Sequence, residues 1–166
     1  MESGSIAFSS DSDLTGGNAD GNNEIFLYDG SSITQITSST SGGSGDPSLD
    51  GGAIAFASTS DLTGGNADGD SEIFLCDGSS IVQITSATSS TVPSGPLVPS
   101  LDDDSIAFHS WEDLTGANPE GNSEIFLATC DLTTVLEIPA LDPGGMVVLV
   151  GLLFGAGLLV LRRVSA

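Results

Sequence analysis

The same β-forming unit is written three times in this chain. Ile6-Ala7-Phe8 returns as Ile54-Ala55-Phe56 and again as Ile106-Ala107-Phe108. Asp-Leu-Thr-Gly follows each time, at Asp13 to Gly16, Asp61 to Gly64 and Asp113 to Gly116. Glu-Ile-Phe-Leu then closes the match at Glu24 to Leu27, Glu72 to Leu75 and Glu124 to Leu127, with no gap inside any copy. A unit this short cannot bury its own apolar surface. Repetition at this period therefore points to units that stack on their neighbours.

Each unit reads as strands. Ile-Ala-Phe is short, apolar and bounded by Ser and Asp. Glu24 to Tyr28 is rich in branched and aromatic residues, and Ile33 to Thr37 alternates apolar with polar. A further strand is expected upstream, at Pro47-Ser48-Leu49 and Pro99-Ser100-Leu101, each followed by an acidic or glycine turn. In Glu-Ile-Phe-Leu both alternating faces are apolar: Phe26 points one way, Ile25 and Leu27 the other. Such a strand suits burial on both faces. The expectation is an all-β chain of about three four-stranded units over residues 1–137, with copies at about 1–45, 46–97 and 98–137. The first copy lacks its opening strand. In the third, Thr133 to Ile138 stands where Gln-Ile-Thr is expected.

The order Pro-Ser-Leu-Asp-Gly-Gly-x-Ile-Ala-Phe, a long polar loop, Glu-Ile-Phe-Leu-x-Asp and then Gln-Ile-Thr resembles the TolB-type, WD40-like β-propeller repeat. The match is fullest over residues 46–86. The resemblance implies blades of a toroidal fold used as a binding or docking platform. Propellers have roughly four to eight blades. Three blades imply either a fragment of a longer protein or a stack completed by self-association.

Charge narrows the partners. The chain carries 23 acidic residues against two basic ones, Arg162 and Arg163, for a net charge of −21. Such a surface repels phosphate backbones and excludes nucleic acid, whereas cations and cationic partners suit it. Acidity of this degree also occurs in disordered chains, but here hydrophobic residues are 39% of the total and fall in ordered clusters, which argues for a fold. Cys76 and Cys130 occupy nearly equivalent places in neighbouring copies. Their spacing fits no metal motif, and a disulfide between them is open.

The long loop of each copy is dense in oxygen-bearing side chains. The first offers Asp13, Thr15, Asn18, Asp20, Asn22 and Glu24; the second Asp61, Thr63, Asn66, Asp68, Asp70 and Glu72; the third Asp113, Thr115, Asn118, Glu120, Asn122 and Glu124. Hard oxygens in this number suit calcium. The helix-flanked EF-hand is excluded, because aligning Gly21 with its glycine puts Gly16 and Leu27 where acids belong. The alternative reading is structural: Asn/Asp-Gly supplies a tight turn, and Asp and Thr close side-chain-to-backbone bonds.

No catalytic residues emerge. The one histidine, His109, stands where the other copies have Ser9 and Ala57, and Trp111 replaces Asp11 and Thr59. Trp111 reads as a cap on the last unit or as an aromatic ligand contact. No nucleophile–base arrangement and no glycine-rich phosphate loop is present.

After Gly145 the composition changes abruptly. Met146 to Leu161 contains no charged residue and is apolar all round, close to the length of a membrane-spanning helix, and Arg162-Arg163 follow. The arginine pair assigns that end to the cytoplasmic side and residues 1–145 to the periplasm or exterior. Gly151 and Gly155 are spaced for helix contact. The tail, 138–166, resembles the bacterial IPTL-type C-terminal sorting signal. Ile138, Pro139, Leu141, Gly145, Arg162 and Arg163 match its layout, and Gly144 replaces its tryptophan. That resemblance implies a sorting protease as a partner. The expected function is a non-enzymatic surface or periplasmic module that binds a protein or glycan and is held at the membrane through 146–161. The alternatives are a calcium-binding surface module and a fragment of a larger exported hydrolase.

Overall fold

The apolar segments of each copy pair in chain order, so every copy becomes an antiparallel meander. The computed structural model describes residues 4–87, 97–116, 118–130 and 159–163. The first sheet holds β1 (Ile6–Ser10), β2 (Glu24–Tyr28) and β3 (Ile33–Gln35) in that order. The second holds β4 (Ser44–Asp50), β5 (Ala53–Ser58), β6 (Glu72–Cys76) and β7 (Ile81–Gln83). The third holds β8 (Ser100–Asp102), β9 (Ser105–Ser110), β10 (Glu124–Cys130) and β11 (Leu159–Arg163). The described residues contain no helix.

One register recurs. Phe8 lies opposite Phe26, Phe56 opposite Phe74 and Phe108 opposite Phe126. Their rings stack with centroids 5.7, 5.8 and 5.8 Å apart. Cross-strand aromatic pairs of this kind fix which residues share a face. The tight β2–β3 and β6–β7 turns are closed by side chains. Asp29 accepts the amides of Ser31 and Ser32, and Asp77 those of Ser79 and Ser80, all at 2.8 Å. These donors hold the Asp77 carboxyl down at about 2 and that of Asp29 well below the usual carboxylate range.

The middle sheet is buried on both sides. One face presents Ile54, Phe56, Phe74 and Cys76, which form a core with Ala7, Ile25 and Leu27 of the first sheet. The opposite face presents Ala55, Ala57, Ile73 and Leu75, which form a second core with Ile106, Phe108, Phe126 and Ala128 of the third. The two-faced reading of Glu-Ile-Phe-Leu is thereby explained: Phe74 looks to one neighbour, Ile73 and Leu75 to the other. Inner strands also meet edge to edge, where Leu101 N donates to Ser48 Oγ at 3.0 Å and Asp103 N to Asp50 Oδ2 at 2.7 Å. Asp103 adopts φ 49° at the β8–β9 turn, where the second copy has Gly51 at φ 56°.

Two expectations are corrected. The alternating segment Ile33 to Thr37 is a strand only to Gln35. The Thr37 hydroxyl accepts Ile25 N at 2.8 Å in place of a ladder carbonyl, and pairing ends there. The end of the expected membrane helix, residues 159–161, is instead strand, and Arg162 and Arg163 continue it opposite Leu127 and Phe126. The physical reason is the open edge of β10, whose amides and carbonyls need a partner. That edge is where the first two copies place β3 and β7. Thr133 to Ile138, the strand expected there, lies outside the described residues, as do Ile138, Pro139, Leu141, Gly145 and 146–158. No helix among the described residues is long and apolar enough to cross a membrane.

Candidate functional site

The long loops share one construction. Asp13 Oδ1 accepts Asn18 N at 3.0 Å, and the Asn18 side-chain amide donates to Asn22 O at 2.9 Å. Asp61, Asn66 and Asp70 repeat this at 3.0 and 2.9 Å, and Asp113, Asn118 and Asn122 at 2.7 and 2.8 Å. Each central asparagine is buried and pegs the loop from inside. Behind it the turn needs a positive φ, met by Gly21 at 72°, Gly69 at 75° and Gly121 at 63°. Asp20, Asp68 and Glu120 stand exposed at the tips.

The loops thus realise the structural reading for Asp13, Asp61 and Asp113, but the second set of side-chain-to-backbone bonds, expected from Thr, is made by the asparagines, and one feature is left over. The Oδ1 atoms of Asn18, Asn66 and Asn118 are all buried without a hydrogen-bond partner, as is that of Asn22. An unpaired buried carbonyl costs roughly 1–3 kcal/mol. The same atom is orphaned in three copies.

Glu24 and Glu72 turn inward, away from the loop tips. Glu24 is fully buried and accepts the Thr37 hydroxyl on one oxygen and Ser39 N, at 2.7 Å, on the other. Glu72 accepts the Thr85 hydroxyl and Ala87 N, the latter at 2.6 Å. Thr85 Oγ1 in turn accepts Ile73 N at 2.9 Å. Glu, Thr and the following backbone form a clamp that ties the last strand of the unit to its neighbour. Burial pushes the Glu72 carboxyl up to about 7. The Thr85 hydroxyl and Ala87 N–H oppose that rise, while nearby Asp68 and Asp70 add to it. Among the described residues, no three His, Cys, Asp or Glu side chains are grouped to hold a metal.

Thr15 and Thr63 bind the glutamine of Gln-Ile-Thr, a contact its place in the motif does not announce. Their hydroxyls donate to Gln35 Oε1 and Gln83 Oε1 at 2.9 and 3.2 Å, and each glutamine donates onward to Thr37 O or Thr85 O. A Cβ on Gly17 or Gly65 would stand 2.6 Å from that glutamine oxygen. The third copy carries Ala117 at the equivalent position and has no counterpart of the glutamine. That paired change was the available signal, as was the Glu–Thr spacing shared by the first two copies.

Two shallow grooves lie among these elements. The larger, about 500 Å³, is lined by Thr63, Gly64, Gly65, Gln83, Ile84, Thr85, Ser86 and Leu114. The smaller, about 340 Å³, lies along Gly43 to Asp46 and Ala57 to Thr59. His109 sits on β9 opposite Ile125 and meets Trp111 edge to face at 5.3 Å. Cys76 is a buried free thiol. No protein-family model matches the chain, and no curated protein or solved structure matches it either.

Proposed function

We propose that this chain is a non-enzymatic binding module of the propeller type, working at the cell surface or in the periplasm and attached or sorted through its tail. The observation that carries the reading is the middle sheet, buried on both faces by sheets of the same design. A blade between blades has this environment. The larger groove is lined by Thr63, Gln83, Ser86 and Leu114, with the buried Thr85 hydroxyl already engaged behind them and no charged group in its lining. That chemistry suits a neutral, hydroxyl-rich ligand such as a glycan or a polar protein segment.

An array of neutral oligosaccharides tests it. Saturable binding that Gln83→Leu abolishes supports the reading; turnover of a bound sugar, or binding indifferent to Gln83, overturns it. Membrane attachment would fall to the uncharged run 146–161 and requires Leu159–Arg163 to leave β10, because one segment cannot pair there and also finish a spanning helix. Exported behind a cleavable leader, the chain is expected in the membrane fraction, and deletion of 146–166 releases it. Recovery of the full chain in soluble periplasm overturns the attachment.

A second reading, calcium in the loops, is favoured by the orphaned Oδ1 of Asn18, Asn66 and Asn118. The ion would take these amide oxygens rather than Glu24 or Glu72, whose carboxylates are engaged by Thr and backbone. Millimolar calcium is then expected to raise the melting temperature, and Asn66→Leu to weaken that rise. An unchanged melting temperature removes the ion from the account.

A further inference from the structure

The two outer faces of the stack match each other. At both internal junctions, the face carrying the isoleucine of Glu-Ile-Phe-Leu meets the face carrying the paired phenylalanines of the next sheet. Two such faces have no sheet against them among the described residues. On the first sheet, Ile6 is 57%, Leu14 43% and Ile33 41% exposed, yet their equivalents Ile54, Leu62 and Ile81 belong to the core between the first and second sheets. On the third sheet, Ile125 is 50% exposed, while its equivalents Ile25 and Ile73 are fully buried. The large apolar residues left open at the ends are the ones that make the junctions inside.

We propose that a second copy of the chain docks head to tail, its first sheet covering the third sheet of its neighbour and repeating the internal junction. The occupant is argued from continuity: the same pair of faces already packs twice within one chain, with the same residues. The contact is heterologous, so it extends into a ring or a chain of copies rather than closing as a symmetric pair. His109 lies on the docking face where the middle sheet has Ala57, so the new junction accommodates an imidazole leaning on Trp111. Each copy carries a net charge of −21, and repulsion between copies is screened by salt. Association is therefore strengthened by sodium chloride. The inference rests on sheet stacking alone and is independent of the binding function.

Sedimentation of the full chain in mild detergent tests it, with Ile33→Asp and Ile125→Asp as variants. Both positions are exposed, so folding is retained and is checked by circular dichroism. The wild type is expected to show larger species with rising concentration, and each variant to weaken association about tenfold or more. An equimolar mixture of the two variants restores a dimer and nothing larger, because each supplies the face the other lacks. A wild type monomeric at all concentrations overturns the proposal. So does association indifferent to both variants, as contact through the apolar tail would give, or a mixture that fails to recover.

Discussion

Glu72→Gln is expected to remove most of the pH dependence of stability between pH 5 and 8. Glu72 is 1% exposed, and burial lifts its carboxyl from 4.5 to about 7. Between those values the folded protein keeps a proton that the unfolded chain has released, so stability falls as pH rises. Above 7 both states are ionised and the full cost of the buried charge is in place. At about 1.4 kcal/mol per pH unit the interval amounts to about 3 kcal/mol, which solvent screening brings to about 2 kcal/mol. Glutamine keeps the shape and one acceptor for the Thr85 hydroxyl or Ala87 N–H, but has no proton to lose. Urea unfolding midpoints at pH 5 and pH 8 measure the effect. Sodium chloride at about 0.5 M screens the background repulsion of the acidic surface. The wild type is expected to be more stable at pH 5 by about 2 kcal/mol, and the variant to show little difference. Equal wild-type stability at both pH values, or an undiminished difference in the variant, refutes the reasoning.

Other substitutions probe separate parts of the fold. Ile73→Ala, at the junction of the second and third sheets, should destabilise by about 3–4 kcal/mol, while the same change at half-exposed Ile125 should cost about 1 kcal/mol in the monomer, both read by urea denaturation. Thr85→Val strips a donor from Glu72 and an acceptor from Ile73 N; a loss of about 2–3 kcal/mol is expected, larger at pH 8 than at pH 5. Asp103→Gly relieves a left-handed backbone and removes a charge beside Asp50. A rise in melting temperature corresponding to about 1 kcal/mol is expected.

Much of the fold was legible because the strands are short and punctuated. Repetition placed the strands of each copy, and the two-sided apolarity of Glu-Ile-Phe-Leu matches the burial of the middle sheet on both faces, while Ile125 of the third stands half exposed. Side chains whose role depends on a distant strand were harder to read. Glu24 and Glu72 ended an acidic loop in sequence, and their inward turn depends on Thr37 and Thr85, which only pairing brings near. Gln35 and Gln83 look like ordinary polar positions until the loop folds back to them. The tail shows the opposite error. Leu159–Arg163 reads locally as the end of an apolar run, but the unpaired edge of β10 draws it into the sheet.

The central claim is that the sheets stack face to face, phenylalanine face against isoleucine face. Methyl-to-aromatic nuclear Overhauser effects in a selectively labelled sample report this directly. Cross-peaks are expected from the methyls of Ile73 and Leu75 to the rings of Phe108 or Phe126, and from Ile25 and Leu27 to Phe56 or Phe74. Methyls of Ile73 and Leu75 that contact only residues of their own sheet would contradict it.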